Sequence, residues 1–233
     1  MSEPLLQERI KKFLNSALSK ISAKDYDSAI EKLTAAEALD RDNPEILYNL
    51  GICYCRKELY NTAVRYFQKV RELPMTFVDV LTVIKMLSYS LIMSGDLKQA
   101  AKYTSDGLRL TGNDTTLLNM TGYILEKEKK SGEAIDIYKQ IIDIDKNNFN
   151  AFNSIAFIIA ETGGDLNEAL EYSRKALRHK PENPAYLDTM GCIQMKKGQI
   201  DIAKRYLKKA LEAHPDSKEI KTHINQLLKI SPN

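Results

Sequence analysis

The sequence predicts an all-α protein, an α-solenoid of six helix-turn-helix repeats followed by a C-terminal capping helix. Three observations lead there. Ala before or within an apolar pair recurs as Ala29-Ile30, Ala63-Val64, Ala100-Ala101, Ala134-Ile135, Ala169-Leu170 and Ala203-Lys204, at gaps of 34, 37, 34, 35 and 34. A second series, always a small residue, runs twelve or thirteen positions ahead of it: Ala17, Gly51, Ser88, Gly122, Ala156 and Gly191, at gaps of 34, 37, 34, 34 and 35. No segment alternates apolar and polar residues as a half-buried strand would. Two series in step along the whole chain mark a structural repeat, in which each unit buries its apolar face on the next.

Each unit reads as two helices. Helix A carries a bulky apolar residue one turn before the small one: Phe13, Leu47, Ile84, Leu118, Phe152 and Leu187. The small residue is expected to let helix B approach closely. Helix B shows apolar residues at helical spacing, as in Ala63, Val64, Phe67, Val70 and Leu73. Turn signals separate the two, at Lys24-Asp25, Gly95-Asp96, Gly163-Gly164-Asp165 and Gly198-Gln199. Asp, Asn and Pro punctuate the ends of the repeats, as in Asp42-Asn43-Pro44, Lys180-Pro181-Glu182-Asn183-Pro184 and His214-Pro215-Asp216. The expected repeats are 10–43, 44–77, 81–114, 115–148, 149–183 and 184–217, read as one domain. The three-residue excess around Pro74-Met75-Thr76-Phe77 is expected to lengthen the third helix A, being close to one helical turn. Repeat four is a looser match in its turn, with Lys129, Ser131 and Gly132. After the last repeat, Ile220, Ile224, Leu227 and Leu228 form one stripe on a helix over 218–230, expected to cap the open end.

Composition narrows the function classes. Of 233 residues, 43% are hydrophobic and 28% charged, enough to bury a substantial core. The net charge of +3 is spread along the chain, so nucleic acid is not an expected partner. The densest basic cluster, Lys196, Lys197, Lys204, Arg205, Lys208 and Lys209, reads as a solvated helix surface. Three cysteines are too few for a disulfide framework. Cys53 and Cys55 stand two apart on one helix and point to different faces, so they cannot share a metal. The opening MSEPLLQERIKKF lacks the apolar stretch of a signal peptide, and no run is long enough for membrane insertion. A cytoplasmic location with reduced thiols is expected.

Catalytic chemistry is not expected either. The chain has no HExxH, no paired CxxC and no Gly-rich phosphate loop. His179 and His214 fall at helix B ends, where a cation suits the helix dipole. Neither a metal nor a cofactor is expected.

The segments Tyr48-Asn49-Leu50-Gly51-Ile52-Cys53-Tyr54 and Leu187-Asp188-Thr189-Met190-Gly191 resemble helix A of the tetratricopeptide-repeat family. Asp25-Tyr26-Asp27-Ser28-Ala29-Ile30, and Ala176-Leu177 with Pro181, resemble its helix B. The resemblance covers residues 10 to 217. It implies that the helices A line a concave groove that binds a segment of another protein. The corresponding positions are Lys11, Leu14, Asn15 and Leu18 in the first repeat, and Glu45, Tyr48, Asn49 and Ile52 in the second. The third offers Thr82, Lys85, Met86 and Tyr89, and the fourth Thr116, Asn119, Met120 and Tyr123. The fifth offers Asn150, Asn153, Ser154 and Phe157, and the sixth Ala185, Asp188, Thr189 and Cys192. Tyr89, Tyr123 and Phe157 make an aromatic stripe, with large contact area and little entropy to lose. Asn15/Asn49 and Asn119/Asn153 could read peptide backbone, since a carboxamide both donates and accepts. Asn49 and Lys85 alone match the carboxylate clamp of chaperone-binding family members; Leu14, Leu18, Thr82 and Met86 stand where its other members would. The expected function is an interaction scaffold or adaptor for an extended or helical peptide. The alternatives are a chaperone or assembly factor holding an apolar client and, more distantly, a regulatory subunit of an enzyme. A homo-oligomer is not expected.

Overall fold

In the computed structural model, which describes residues 3–74 and 78–230, the chain is all α, with thirteen helices and no strand among the described residues. It divides into two compact units, Met1–Ile124 and Leu125–Asn233. The first holds α1 (Glu3–Ser22), α2 (Tyr26–Glu37), α3 (Pro44–Arg56), α4 (Tyr60–Glu72), α5 (Val80–Ser94), α6 (Leu97–Thr111) and most of α7 (Thr115–Lys127). The second holds α8 (Ser131–Ile144), α9 (Phe149–Glu161), α10 (Leu166–His179), α11 (Pro184–Lys196), α12 (Ile200–Ala213) and α13 (Lys218–Ile230).

The two small-residue series are where the helices meet. All six helix B alanines (Ala29, Ala63, Ala100, Ala134, Ala169, Ala203) are 0% exposed. Gly51 has no room for a side chain: an ideal Cβ there would lie 2.6 Å from the Phe67 ring of α4. Gly191 is as tight, with Leu207 of α12 at 2.6 Å from the same position. The bulky residues one turn earlier are buried, apart from Phe13, which is half-buried at the open end.

The turns between paired helices share one geometry. A residue with positive φ occurs in each: Lys24, Glu58, Gly95, Lys129, Gly163 and Gly198. The next N–H then donates to the carbonyl five residues back, as Asp96 does to Leu91 at 2.9 Å and Gln199 to Gln194 at 2.9 Å. This left-handed closure satisfies carbonyls that the helix end would orphan. The Asp and Asn punctuation supplies the N-caps. Asn43 accepts from the Glu45 and Ile46 amides, with Pro44 beginning α3, and Asn183 repeats the arrangement before Pro184.

Core packing passes from one pair to the next. In the first unit Ile10, Leu33, Ile46, Leu50 and Cys53 form one cluster; Leu47, Cys55, Phe67, Val83, Leu87 and Leu91 form another. Cys53 and Cys55 thus enter different clusters, as their spacing requires. Cys53 is 0% exposed, and burial pushes its thiol up to about 11. In the second unit α11 is buried almost all round, packed by α9, α10, α12 and α13. Of the capping stripe, Ile220 and Leu227 are buried, while Leu228 is 50% exposed and does not belong to the buried face. The third helix A, α5, runs 15 residues against 13 in α3; Met75, Thr76 and Phe77 of the excess segment lie outside the described residues.

Candidate functional site

The residues expected to meet a partner sit on the odd-numbered helices, and their environments differ sharply. In the first unit Asn15 is exposed on α1, and Tyr48, Asn49 and Ile52 are half-buried on α3. The Tyr48 ring packs edge-on against Phe67, centroids 5.8 Å apart, so much of it is core. Leu14, aligned with this face, is buried outright. On α5, Lys85 reaches the Asp114 carboxylate at 2.6 Å, while Met86 is half-buried against the core. Tyr89 is 40% exposed and meets Tyr60 edge-on at 6.2 Å. On α7, Asn119 and Met120 are half-buried and Tyr123 is 39% exposed.

The carboxamides are partly committed. Asn49 Nδ2 donates to the Glu45 carbonyl at 2.8 Å, and Asn119 Nδ2 to the Thr115 carbonyl at 2.7 Å. Both bonds run to the residue four back on the same helix, leaving the carboxamide oxygen as the group that can accept from a ligand. In the second unit Asn153 is half-buried on α9, and its Oδ1 is buried with no donor among the described residues. Phe157 is half-buried, unlike Tyr89 and Tyr123.

Asp188 needs correction. Expected on the open face of α11, it is 6% exposed and lies under α13, where both carboxylate oxygens contact His223 Nδ1 at 2.9 and 2.8 Å. Thr189 and Cys192, aligned with the same face, are buried too. The reason is α13, which packs on α11 and brings His223 over Asp188. The hydrogen bond to the Asp188 carboxylate raises His223 above the usual imidazole range, against burial, which lowers it. Periodicity alone could have indicated this, because His223 stands three after Ile220 and four before Leu227, inside the apolar stripe. The fold also gathers Asp188, Cys192 and His223 so that one ligand atom from each lies within 4.8 Å of the others. No local motif announces that set, since α11 and α13 contribute from 31 or more residues apart (223 − 192 = 31).

Elsewhere in the second unit, an apolar hollow of about 240 Å³ lies between α12 and α13, lined by Leu207, Leu211, Ile224 and Leu228, with Lys204 and Lys208 beside them. Among the described residues no helix is long and apolar enough to cross a membrane.

Comparisons with known proteins agree with this architecture. Models described as "TPR repeat" and "Tetratricopeptide repeat" match residues 20–57, 45–73, 115–148 and 160–227. A TPR repeat-containing protein of Pseudomonas aeruginosa is 29% identical over 129 residues, covering 55% of this chain and 22% of that protein. One from Methanocaldococcus jannaschii is 25% identical over 160 residues, 66% of this chain and 28% of that protein. The chain therefore spans about a quarter of the length of these relatives. Among solved structures, a tetratricopeptide repeat protein from Parabacteroides merdae superposes with a TM-score of 0.81 at 13% identity, covering 96% of this chain and 87% of that one. YrrB, described as a TPR protein with an unusual peptide-binding site, gives a TM-score of 0.63 at 23% identity, over 78% of this chain and 95% of that one. With its paired helices, its two buried small-residue series and these matches, the chain belongs to the tetratricopeptide-repeat family.

Proposed function

We propose that this protein is a non-catalytic interaction scaffold that holds an extended or helical peptide segment of a partner protein. The observation that carries the reading is the exposure of Tyr89 and Tyr123 at equivalent positions of α5 and α7, 40% and 39%. The two helices are neighbours in the first unit, tied by Lys85 and Asp114 and both packed against Gly107 of α6. Large aromatic rings left half in water on adjacent helices suit an interface anchor, because they supply contact area at low entropic cost. Asn49 and Asn119 beside them each keep a carboxamide oxygen for a peptide N–H. That YrrB is described as having a peptide-binding site is in keeping with this use of the fold. Asn153 and Phe157 would extend the same chemistry on α9 of the second unit. Three free, buried cysteines fit a reducing, cytoplasmic setting.

The reading is tested by selecting a displayed library of random linear peptides on the full chain. Enriched peptides should carry apolar anchors and bind Tyr89→Ala and Tyr123→Ala about 30-fold more weakly, the equivalent of about 2 kcal/mol each. Lys204→Ala with Lys208→Ala should bind them unchanged. A library that enriches nothing, or peptides indifferent to both tyrosines, would overturn the proposal.

A further inference from the structure

We propose that Asp188, Cys192 and His223 form a binding site for a thiophilic divalent transition-metal ion, zinc above all, that clamps α13 onto α11. Asp188 and Cys192 are four residues apart, one turn of α11, and so share a face. His223 comes down on that face from α13. The three are 6%, 1% and 9% exposed, and one ligand atom from each falls within 4.8 Å of the other two. A carboxylate, a thiolate and an imidazole are a donor set that zinc accepts, and three protein ligands leave the fourth tetrahedral position to water.

The distances fit with small side-chain rotations. Around a tetrahedral zinc with bonds of about 2.0–2.3 Å, ligand atoms stand about 3.3–3.6 Å apart. His223 Nδ1 and the Asp188 oxygens, now at 2.8 and 2.9 Å, would open by about half an ångström, and the sulfur would close by at most about 1.3 Å. The ion takes the place of the proton shared between His223 and Asp188, and the thiol proton leaves to solvent.

Electrostatics favours a cation at this place. Besides Asp188, the carboxylates of Glu161 and Glu219 act on both His223 and Cys192, opposed at Cys192 by Lys196, which pairs with Glu161 at 2.9 Å. These carboxylates leave the place short of positive charge, which a dication supplies. Among the described residues the Cys192 sulfur makes no hydrogen bond, whereas the Cys55 sulfur accepts one from Ser90.

Cobalt(II) tests the site by a readout independent of partner binding. The full chain, freed of metal by chelator and reduced with a phosphine, should bind one cobalt. It should show the near-ultraviolet charge-transfer band of a cobalt–thiolate bond and the strong visible bands of tetrahedral geometry, and zinc should abolish both. Cys192→Ser should lose the charge-transfer band, while His179→Gln with His214→Gln should keep it. His223→Gln, which preserves a hydrogen bond to Asp188, should remain folded by circular dichroism. Its metal binding should weaken by more than about tenfold, the loss already caused by removing an outer-shell partner of a metal ligand. Zinc should raise the melting midpoint of the parent chain more than that of His223→Gln. No charge-transfer band in the parent at saturating cobalt would overturn the proposal, as would a band that survives Cys192→Ser.

Discussion

Lys85 and Asp114 meet at 2.6 Å, joining the middle of α5 to the residue just before α7. Asp114 also accepts from the backbone N–H groups of Thr116 and Leu117, at 3.0 and 3.1 Å. One carboxylate therefore caps a helix and ties neighbouring repeats. Its largest single influence is burial, which raises its pKa. The Lys85 hydrogen bond and charge, with the two amides, together outweigh this and hold it below the usual carboxylate range.

A folded-state pKa below the unfolded one stabilises the fold above the unfolded value of about 3.9, and that contribution is lost as pH falls through the folded value. Asp114→Asn keeps a capping oxygen but no charge, so its acid unfolding should begin at lower pH relative to its neutral stability, with a shallower limb. Asp114→Ala should cost about 1–2 kcal/mol at neutral pH through loss of the cap. Urea titrations at a series of pH values measure both. Equal pH dependence in parent and Asp114→Asn would refute the assignment.

The six shared turns make a paired prediction. Gly95, Gly163 and Gly198 take positive φ freely, while Lys24, Glu58 and Lys129 do so with a Cβ that the left-handed region disfavours. Each of Lys24→Gly, Glu58→Gly and Lys129→Gly should stabilise by about 0.5–1 kcal/mol, strain relief exceeding the added freedom of the unfolded chain. Gly95→Ala should cost about 1–2 kcal/mol although nothing lies within 4 Å of its Cβ position, which isolates the backbone effect. Thermal denaturation of the four variants, referred to the parent, decides it.

Gly51 and Gly191 should respond to alanine in the opposite sense from Gly132. Alanine normally favours a helix by about 1 kcal/mol over glycine. At Gly51 and Gly191 the new methyl would stand 2.6 Å from Phe67 or Leu207, both fully buried, and the helices would have to part. Overpacking of this kind costs about 1–3 kcal/mol, enough to reverse the propensity gain. At Gly132 nothing lies within 4 Å, and alanine should stabilise. A gain in denaturation midpoint for Gly191→Ala would show that α11 and α12 have slack that their geometry does not suggest.

The repeats were legible because packing imposes a period on small residues: wherever two helices cross closely, a large side chain cannot be accommodated. Ala17, Gly51, Ser88, Ala156 and Gly191 all proved to be contact positions, and five of the residues one turn earlier proved buried. The groove was less legible, because the repeat pattern specifies a face and not what covers it. Tyr89 and Tyr123 are 40% and 39% exposed, whereas Asp188, read from the same pattern, is 6% exposed. Six repeats align at that position, yet α11 is the one that α13 lies upon, and the partner of Asp188 is 35 residues away. A pairing across that separation leaves no trace in local spacing. What was available was a histidine inside the stripe of the last helix, a polar residue where the pattern calls for an apolar one.

Asp188 and His223 also give the sharpest test of what α13 does. Removing residues 218–233 would uncover Leu207 and Leu187, 0% and 4% exposed, and leave the Asp188 carboxylate without its partner. The truncated chain should melt at lower temperature and aggregate, as expected of a repeat array that has lost its cap. A finer measurement separates the polar pair from apolar coverage. In chelator-treated protein, His223→Ala strands a buried carboxylate and should destabilise by about 3 kcal/mol, as breaking a buried pair does. Asp188→Ala should cost less, since neutral imidazole tolerates burial better than a carboxylate does. The double variant leaves neither charge buried, so its loss should fall short of the sum of the singles by more than about 1 kcal/mol. Additive losses would mean that the two side chains act independently. The hold of α13 would then rest on Ile220, Ile224 and Leu227 alone, and replacing all three by Ala should in that case match the truncation in its effect on the melting midpoint.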